Sequence, residues 1–302
     1  MGKAYNKAIL IVDAHTHRYP EEVRKDPHAF AARQKETHWL ELVKPTGKRS
    51  LQGWVNGKRM ISDMEAANVS QAVLQGWYWE NPASCILQND WHAQWILNDP
   101  EKFIGFASIH PDLGQPLDEL KKRHDQGFQG IGECHPWVQG SSPRNQKWIS
   151  CMKFACERGW PVTFHVTEPV GHEYPGKVPT PFRDFLWLAQ ELPDLKIILA
   201  HAGGLFPFYE LNPKIRPLLK NFYYDLSACP LLYEHSLYRK LVDVVGVSKI
   251  LWATDYPLRI FPVNQKDPDF LTFKNVIKQE AILSDTEESA IFGQNLLSLL
   301  PC

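Results

Sequence analysis

Eight short apolar runs are spaced along the 302 residues. They are Ala8–Ala14, Gln71–Gly76, Phe103–Ile109, Gly130–Glu133, Pro161–Val166, Lys196–Ala200, Phe222–Leu226 and Lys249–Thr254. Most are β-branched or aromatic and lack clean alternation, as strands buried on both faces do. Between them the pattern changes to helical spacing. Ser62-Asp63-Met64-Glu65 reads as a capping box opening a helix before the second strand. Leu117–Gln126 predicts a helix stopped by Gly127. Ser236–Val245 sets Leu237, Leu241 and Val244 on one face and ends at Gly246. Ser284-Asp285-Thr286-Glu287 is a second capping box, opening the last helix.

Strand alternating with helix eight times predicts a (β/α)8 TIM barrel, one domain over residues 1–302. A doubly wound open sheet is the competing α/β arrangement. It would carry a glycine-rich phosphate turn after the first strand, where this chain has His15 and His17. Arg18–Ile61 is long for a first strand-to-helix connection and reads as a partly helical insertion over the active face. Phe261–Phe270, with two prolines, reads as a second flap.

Composition changes the picture little. Hydrophobic residues make up 44% and charged residues 22%, an ordinary globular balance. A formal net charge of -1 gives no electrostatic case for nucleic acid or an anionic membrane. No apolar run is long enough to span a bilayer, and Met1–Asn6 leads straight into the first strand. The six cysteines form no CxxC pair and read as free thiols. The expectation is a cytoplasmic protein acting on a small molecule, with no nucleic-acid or membrane partner; a homo-oligomer is compatible with it.

The chemistry sits where the strands end. Five runs lead into a metal-type ligand: His15 with His17, then Glu133, His165, His201 and Asp255. Residues two apart on a strand point the same way, so His15 and His17 can share one cation. In a parallel barrel the carboxyl ends of the strands converge on one face, where catalytic groups gather. Imidazole and carboxylate suit Zn²⁺ or a similar divalent ion, one or two per site. Asp255 leaves a buried strand, so it needs a partner or a cation. Touching both cation and water, it is also a general base. Glu133 has two readings. It bridges two cations, with His15, His17 and Asp255 on one and His165 and His201 on the other, or it orients a histidine from outside the ligand set. Gly203 and Gly204 allow close backbone or ligand approach after His201.

Substrate-side candidates follow the strands. Trp77, Tyr78 and Trp79 come after the second, His110 after the third, His135 and Trp137 after the fourth, Glu168 and His172 after the fifth. Trp39 and Trp54 lie in the insertion. This aromatic density suits a flat or cyclic organic substrate. Arg18, Arg183 and Arg259 are candidates to clamp a carboxylate.

From Val12-Asp13-Ala14-His15-Thr16-His17, through Ala200-His201-Ala202-Gly203-Gly204 and Ala253-Thr254-Asp255-Tyr256-Pro257, to Ile291-Phe292-Gly293-Gln294-Asn295, the chain resembles the metal-dependent amidohydrolase superfamily. It is most similar to the branch containing aminocarboxymuconate-semialdehyde decarboxylase and lactone-hydrolysing relatives. The resemblance implies a barrel in which His15, His17, His165 and Asp255 hold the principal metal. His201 would polarise substrate, activate water or ligate a second ion. Glu133 departs from the decarboxylases and resembles the strand-four glutamate of two-metal hydrolases such as the TatD-type deoxyribonucleases. The expected activity is hydrolysis of a lactone, ester or amide by metal-bound hydroxide, with Asp255 moving the proton. The alternative is non-oxidative decarboxylation of an aromatic or unsaturated acid. A metal-binding but catalytically silent barrel is a third class, disfavoured by the complete ligand set.

Overall fold

The computed structural model describes residues 10–45 and 50–301. Eight parallel strands lie in chain order: β1 Val12–Thr16, β2 Gln71–Leu74, β3 Phe103–Ala107, β4 Gly130–Cys134, β5 Val162–Phe164, β6 Ile197–Leu199, β7 Phe222–Asp225 and β8 Ile250–Leu251. Backbone bonds from Ala14 N–H to Trp252 O (3.0 Å) and from Asp255 N–H to His15 O (2.9 Å) join the last strand to the first. The expected (β/α)8 barrel is therefore the fold. The expected residues Ala8 and Ile9 of the first strand lie outside the described residues.

The strand side chains pack in two layers. Val12, Ala14, Val73, Ile104, Phe106, Ile198, Leu251 and Ala253 pack as one interior cluster. Ala72, Leu74, Ile131, Phe164, Leu199 and Tyr224 face the surrounding helices. Those helices are α4 Gly57–Ala66, α5 Pro82–Asn98, α6 Pro116–Asp125, α7 Gln146–Glu157, α8 Phe182–Glu191, α10 Leu237–Val245 and α11 Leu271–Glu280, with the single turn α9 Cys229–Leu232 before α10. At the end of the chain α12 Asp285–Ser289 runs through Ala290–Gln294 into α13 Asn295–Leu299. Leu296 and Leu299 join the interior cluster, and Asn295 donates to the carbonyls of Val247 and Ile250. This run stoppers the amino-terminal end of the barrel and leaves the other end for chemistry.

The insertion after β1 holds three short helices, α1 Glu21–Lys25, α2 Pro27–Gln34 and α3 Thr37–Val43. They have their own apolar cluster, with Phe30 and Trp39 packed against Tyr19, Trp54 and Trp79. The Ser284 capping box is present, with Glu287 as its partner. The one expected at Ser62 is not. Helix α4 begins six residues earlier, where the Asn56 side chain accepts the Arg59 N–H, and Ser62-Asp63-Met64-Glu65 falls inside it. A local four-residue signature was overruled by a stronger cap upstream. The carboxyl ends of β5 and β8 also stop short of the apolar runs that predicted them. There the backbone turns to deliver His165 and Asp255.

Candidate metal centre

Two strands depart from strict alternation where the candidate ligands sit. On β1, Val12 and Ala14 both face the interior, so alternation would turn His15 outward. The register with β2 shifts between Asp13 and Thr16, and His15 faces the site instead. Similarly, Ile131 and Cys134 both pack in the outer layer, and the register with β5 shifts between them. Glu133 lies in that gap. Its N–H donates to Gly76 O (2.6 Å), and the Gly76 N–H donates to Gly132 O (2.5 Å). Gly76 must be glycine, because a Cβ there would stand 2.6 Å from Ser108 N.

His201 and Asp255 arrive on turns. Residues 201–205 all have φ between 53° and 69°, and Asp255 has φ 64°. Left-handed backbone costs about 1–2 kcal/mol at a non-glycine residue, so packing must hold these turns. Gly203 and Gly204 ease that cost and let the turn press against Tyr224 and Val166. Their closeness serves backbone packing in this structure.

Six side chains meet at this end of the barrel. The Nε2 atoms of His15 and His17 are 3.2 Å apart. Glu133 Oε2 lies 3.7 Å from the first and 3.9 Å from the second. Asp255 Oδ1 lies 4.0 Å and 3.4 Å from the same two nitrogens. The other Glu133 oxygen, Oε1, is 2.8 Å from His165 Nδ1 and 3.5 Å from His201 Nε2, and those two nitrogens are 3.1 Å apart. His15, His17 and Glu133 thus form one group with ligand-competent spacing, and Glu133, His165 and His201 a second. His165 lies against Glu133 and His201 in this cluster.

These spacings suit a divalent cation. Two imidazole nitrogens about 2.0–2.1 Å from a tetrahedral ion are separated by about 3.3 Å. Hydrogen bonds also set which ring nitrogen is free. His15 Nδ1–H donates to Asp225 Oδ2 (3.0 Å) and His201 Nδ1–H to Ser227 O (3.0 Å), leaving both Nε2 lone pairs for the site.

The electrostatics of the metal-free cluster are those of an anion set holding protons in place of a cation. Burial disfavours charged His15, but Glu133 and Asp225 outweigh it and push its pKa up to about 10. Burial also opposes a charged Glu133, yet His165 and His15 hold it well below the usual carboxylate range. Asp255 is lowered against its burial by His17 and His15, and His201 is raised against its burial by Glu133. Burial lowers His165. A cation held here would have to displace such protons, which would couple its affinity to pH.

The cluster opens into a cavity of about 410 Å³. Its walls include Trp77, Tyr78, Val166, Leu231 and Leu258, with Gln52, Thr167 and Tyr174 as polar points and Glu41, Lys44, Glu168 and His172 among the other lining residues. Trp77 meets the His17 ring edge-on and stacks on Tyr78. The other candidates lie elsewhere. His135 is buried behind the site, stacked on His165 and against Tyr78. Trp137 packs on Phe185 and donates to Asp184, and Trp79 donates to Gln88. His110 Nδ1 accepts the Asp112 N–H in a local turn. Arg259 pairs through its backbone with Leu51 O. Arg183 is exposed, and Arg18 lies over Trp95 and Phe103. None of these lines the cavity. Trp39 and Trp54 belong to the insertion core. Glu168 lines the cavity, but its carboxylate accepts the N–H groups of Val170 and Gly171.

Asp225, Ser227 and Gln52 entered no sequence-based candidate set. Asp225 had a signal: an acid ending the apolar run Phe222-Tyr223-Tyr224, like the other strand-end ligands. Gln52 had none. It reaches the cavity because the insertion folds back, bridging Gln52 to Leu258 beyond β8.

A closed parallel barrel with imidazoles and carboxylates gathered at the carboxyl ends of its strands defines a (β/α)8 enzyme with a candidate cation centre. The chain belongs to the amidohydrolase family, whose model matches residues 12–301. This is a superfamily of metal-dependent enzymes. A curated relative, 2-amino-3-carboxymuconate-6-semialdehyde decarboxylase of Dictyostelium discoideum, is 24% identical over 79% of this chain and 73% of its own length. Among solved structures, 5-carboxyvanillate decarboxylase from Novosphingobium aromaticivorans, complexed with manganese and 4-hydroxy-3-methoxy-5-nitrobenzoic acid, superposes with TM-score 0.71. It is 16% identical, covering 97% of this chain and 96% of that one. A probable 2-pyrone-4,6-dicarboxylic acid hydrolase from Acinetobacter baumannii gives TM-score 0.61 at 14% identity, covering 96% and 98%. No helix among the described residues is long and apolar enough to cross a membrane.

Proposed function

We propose that this protein is a divalent-cation-dependent hydrolase of a small cyclic or aromatic lactone, ester or amide. The observation that carries this reading is the position of Glu133. One of its oxygens faces the His15–His17 pair and the other faces the His165–His201 pair. A carboxylate so placed is what a two-cation site needs as its shared ligand. His15, His17, Glu133 and Asp255 would hold one ion, and Glu133, His165 and His201 the other. When bound, a divalent cation supplies Lewis acidity, which acidifies water and polarises a carbonyl.

The chain's own groups do the rest. Asp255 lines the cavity and is ionised, so it can take a proton from attacking water and return it to the leaving group. His201 presents Nε2 because Ser227 O holds its other nitrogen. Trp77 and Tyr78 form a flat wall that orients a planar substrate. A cavity of about 410 Å³ suits a small molecule.

A second reading, decarboxylation of an aromatic or unsaturated acid, is favoured by the names of the Dictyostelium relative and the manganese-containing neighbour. Zinc is the expected ion, and that neighbour makes manganese its competitor. Elemental analysis of protein resupplied with zinc or manganese is the first test. It should be followed by assays of aryl lactones for acid release and of aromatic acids for carbon dioxide release. Two ions per chain with acid release supports hydrolysis. One ion with carbon dioxide release and no lactone turnover would replace it with the second reading.

A further inference from the structure

We propose that Asp225 is a positioning residue that fixes one histidine in each of the two ligand groups, so that a single carboxylate sets the geometry of both. The inference rests on the reading of the cluster as a cation centre. Asp225 closes β7 and is fully buried. Its Oδ2 accepts from the His15 ring at 3.0 Å. Its Oδ1 accepts the His201 backbone N–H at 3.1 Å, the Ser227 N–H at 3.0 Å and the Ser227 hydroxyl at 2.5 Å. An ionised carboxylate offers about four acceptor positions. Four donors are present, so Asp225 is spent on orientation and is not itself a ligand.

The two oxygens do different work. Through Oδ2 the carboxylate holds the proton of His15 on Nδ1, which keeps the Nε2 lone pair in the site. Through Oδ1 it anchors the first N–H of the left-handed turn that delivers His201, and it holds Ser227, whose carbonyl takes the His201 ring N–H. In the closed ring β7 adjoins β6, which leads to His201, and is separated from β1, which carries His15, by β8 alone, so one inward side chain reaches both.

This division predicts different outcomes for two substitutions. In Asp225→Asn the amide oxygen takes the Oδ1 place, where three donors wait. The amide NH2 then faces His15 Nδ1, which must accept and so place its proton on Nε2. One of two bound ions should weaken by about 10–100-fold, the range for lost outer partners of metal-ligating histidines. In Asp225→Ala both supports go, and both ions should weaken. Zinc affinity, measured for the full chain by competition with a chromophoric chelator at a temperature where circular dichroism shows each variant folded, reads both. Should Asp225→Ala not fold, nitrogen-15 spectra of the zinc-loaded wild type decide. His15 and His201 should each show a protonated Nδ1 and a coordinated Nε2. Wild-type zinc binding by a folded Asp225→Asn, or coordination of His15 through Nδ1, would overturn the role given to Asp225. A wild type that binds no zinc or manganese would instead defeat the cation reading, and this inference with it.

Discussion

Replacing Glu133 by glutamine tests the centre most directly. The change keeps the shape of the side chain and removes one charge from among four imidazoles. At 3.7 Å, the distance from Glu133 Oε2 to His15 Nε2, an effective dielectric of about 20 gives an attraction of about 4–5 kcal/mol. That is about three units of proton affinity for His15. In the metal-free wild type His15 is pushed up to about 10 against its burial, with Glu133 first among the raising charges, so Glu133→Gln should lower it. Histidine carbon-13 shifts followed against pH measure this. The sign for stability follows. A histidine whose pKa is raised on folding stabilises fully below its unfolded value near 6.5, and that contribution is lost as pH climbs to about 10. Metal-free Glu133→Gln should therefore be less stable than wild type near pH 6, and the His15 share of that difference should disappear by about pH 10. In the metal-loaded protein the shared ligand is gone, and the zinc count should fall from two to one. A variant that keeps two tightly bound ions, or whose His15 still titrates near 10, would refute the bridging role and the electrostatic account respectively.

His17→Ala should abolish tight zinc binding by the first group, taking the zinc count from two to one, while the barrel keeps its circular dichroism, because His17 belongs to that group alone; full metal content by elemental analysis would contradict this. Asp255→Asn should retain at least one ion but lose about 10²–10⁴-fold in turnover if it moves the proton, checked by comparing metal content with rate on the same sample. Glu36 is buried, accepts the Glu80 and Asn81 N–H groups in front of α5, and is raised to about 7 because burial outweighs those bonds. Its raised pKa means stability falls as pH rises from about 4.5 to about 7, by at most about 3 kcal/mol, and Glu36→Gln should flatten that part of a urea-denaturation profile. An unchanged slope would remove Glu36 as its source.

Much of the barrel was legible because its local rules agree. Apolar runs of strand length alternate with helical spacing, and Gly127 and Gly246 stop the helices where positive φ is needed. His15, His17, Glu133, His165, His201 and Asp255 stood out because polar ligands at the ends of apolar runs are costly unless they are used. The Ser62 capping box misled because a four-residue signature cannot see Asn56 upstream competing for the same helix start.

What the chain determined by itself is the order of strands and the kinds of candidate ligand at their ends, since periodicity and burial cost are local quantities. Tertiary structure decided which ligands meet. Register shifts on β1 and β4 turned His15 and Glu133 inward, and left-handed turns aimed His201 and Asp255. It also decided that Trp77 lines the cavity while His110, His135, Trp137 and Arg259 do not, because a loop side chain's direction depends on what packs behind it. Asp225 and Gln52 gained their places in the same way, from strands and an insertion distant in sequence that closure of the barrel brings within a hydrogen bond of the centre or onto the cavity wall.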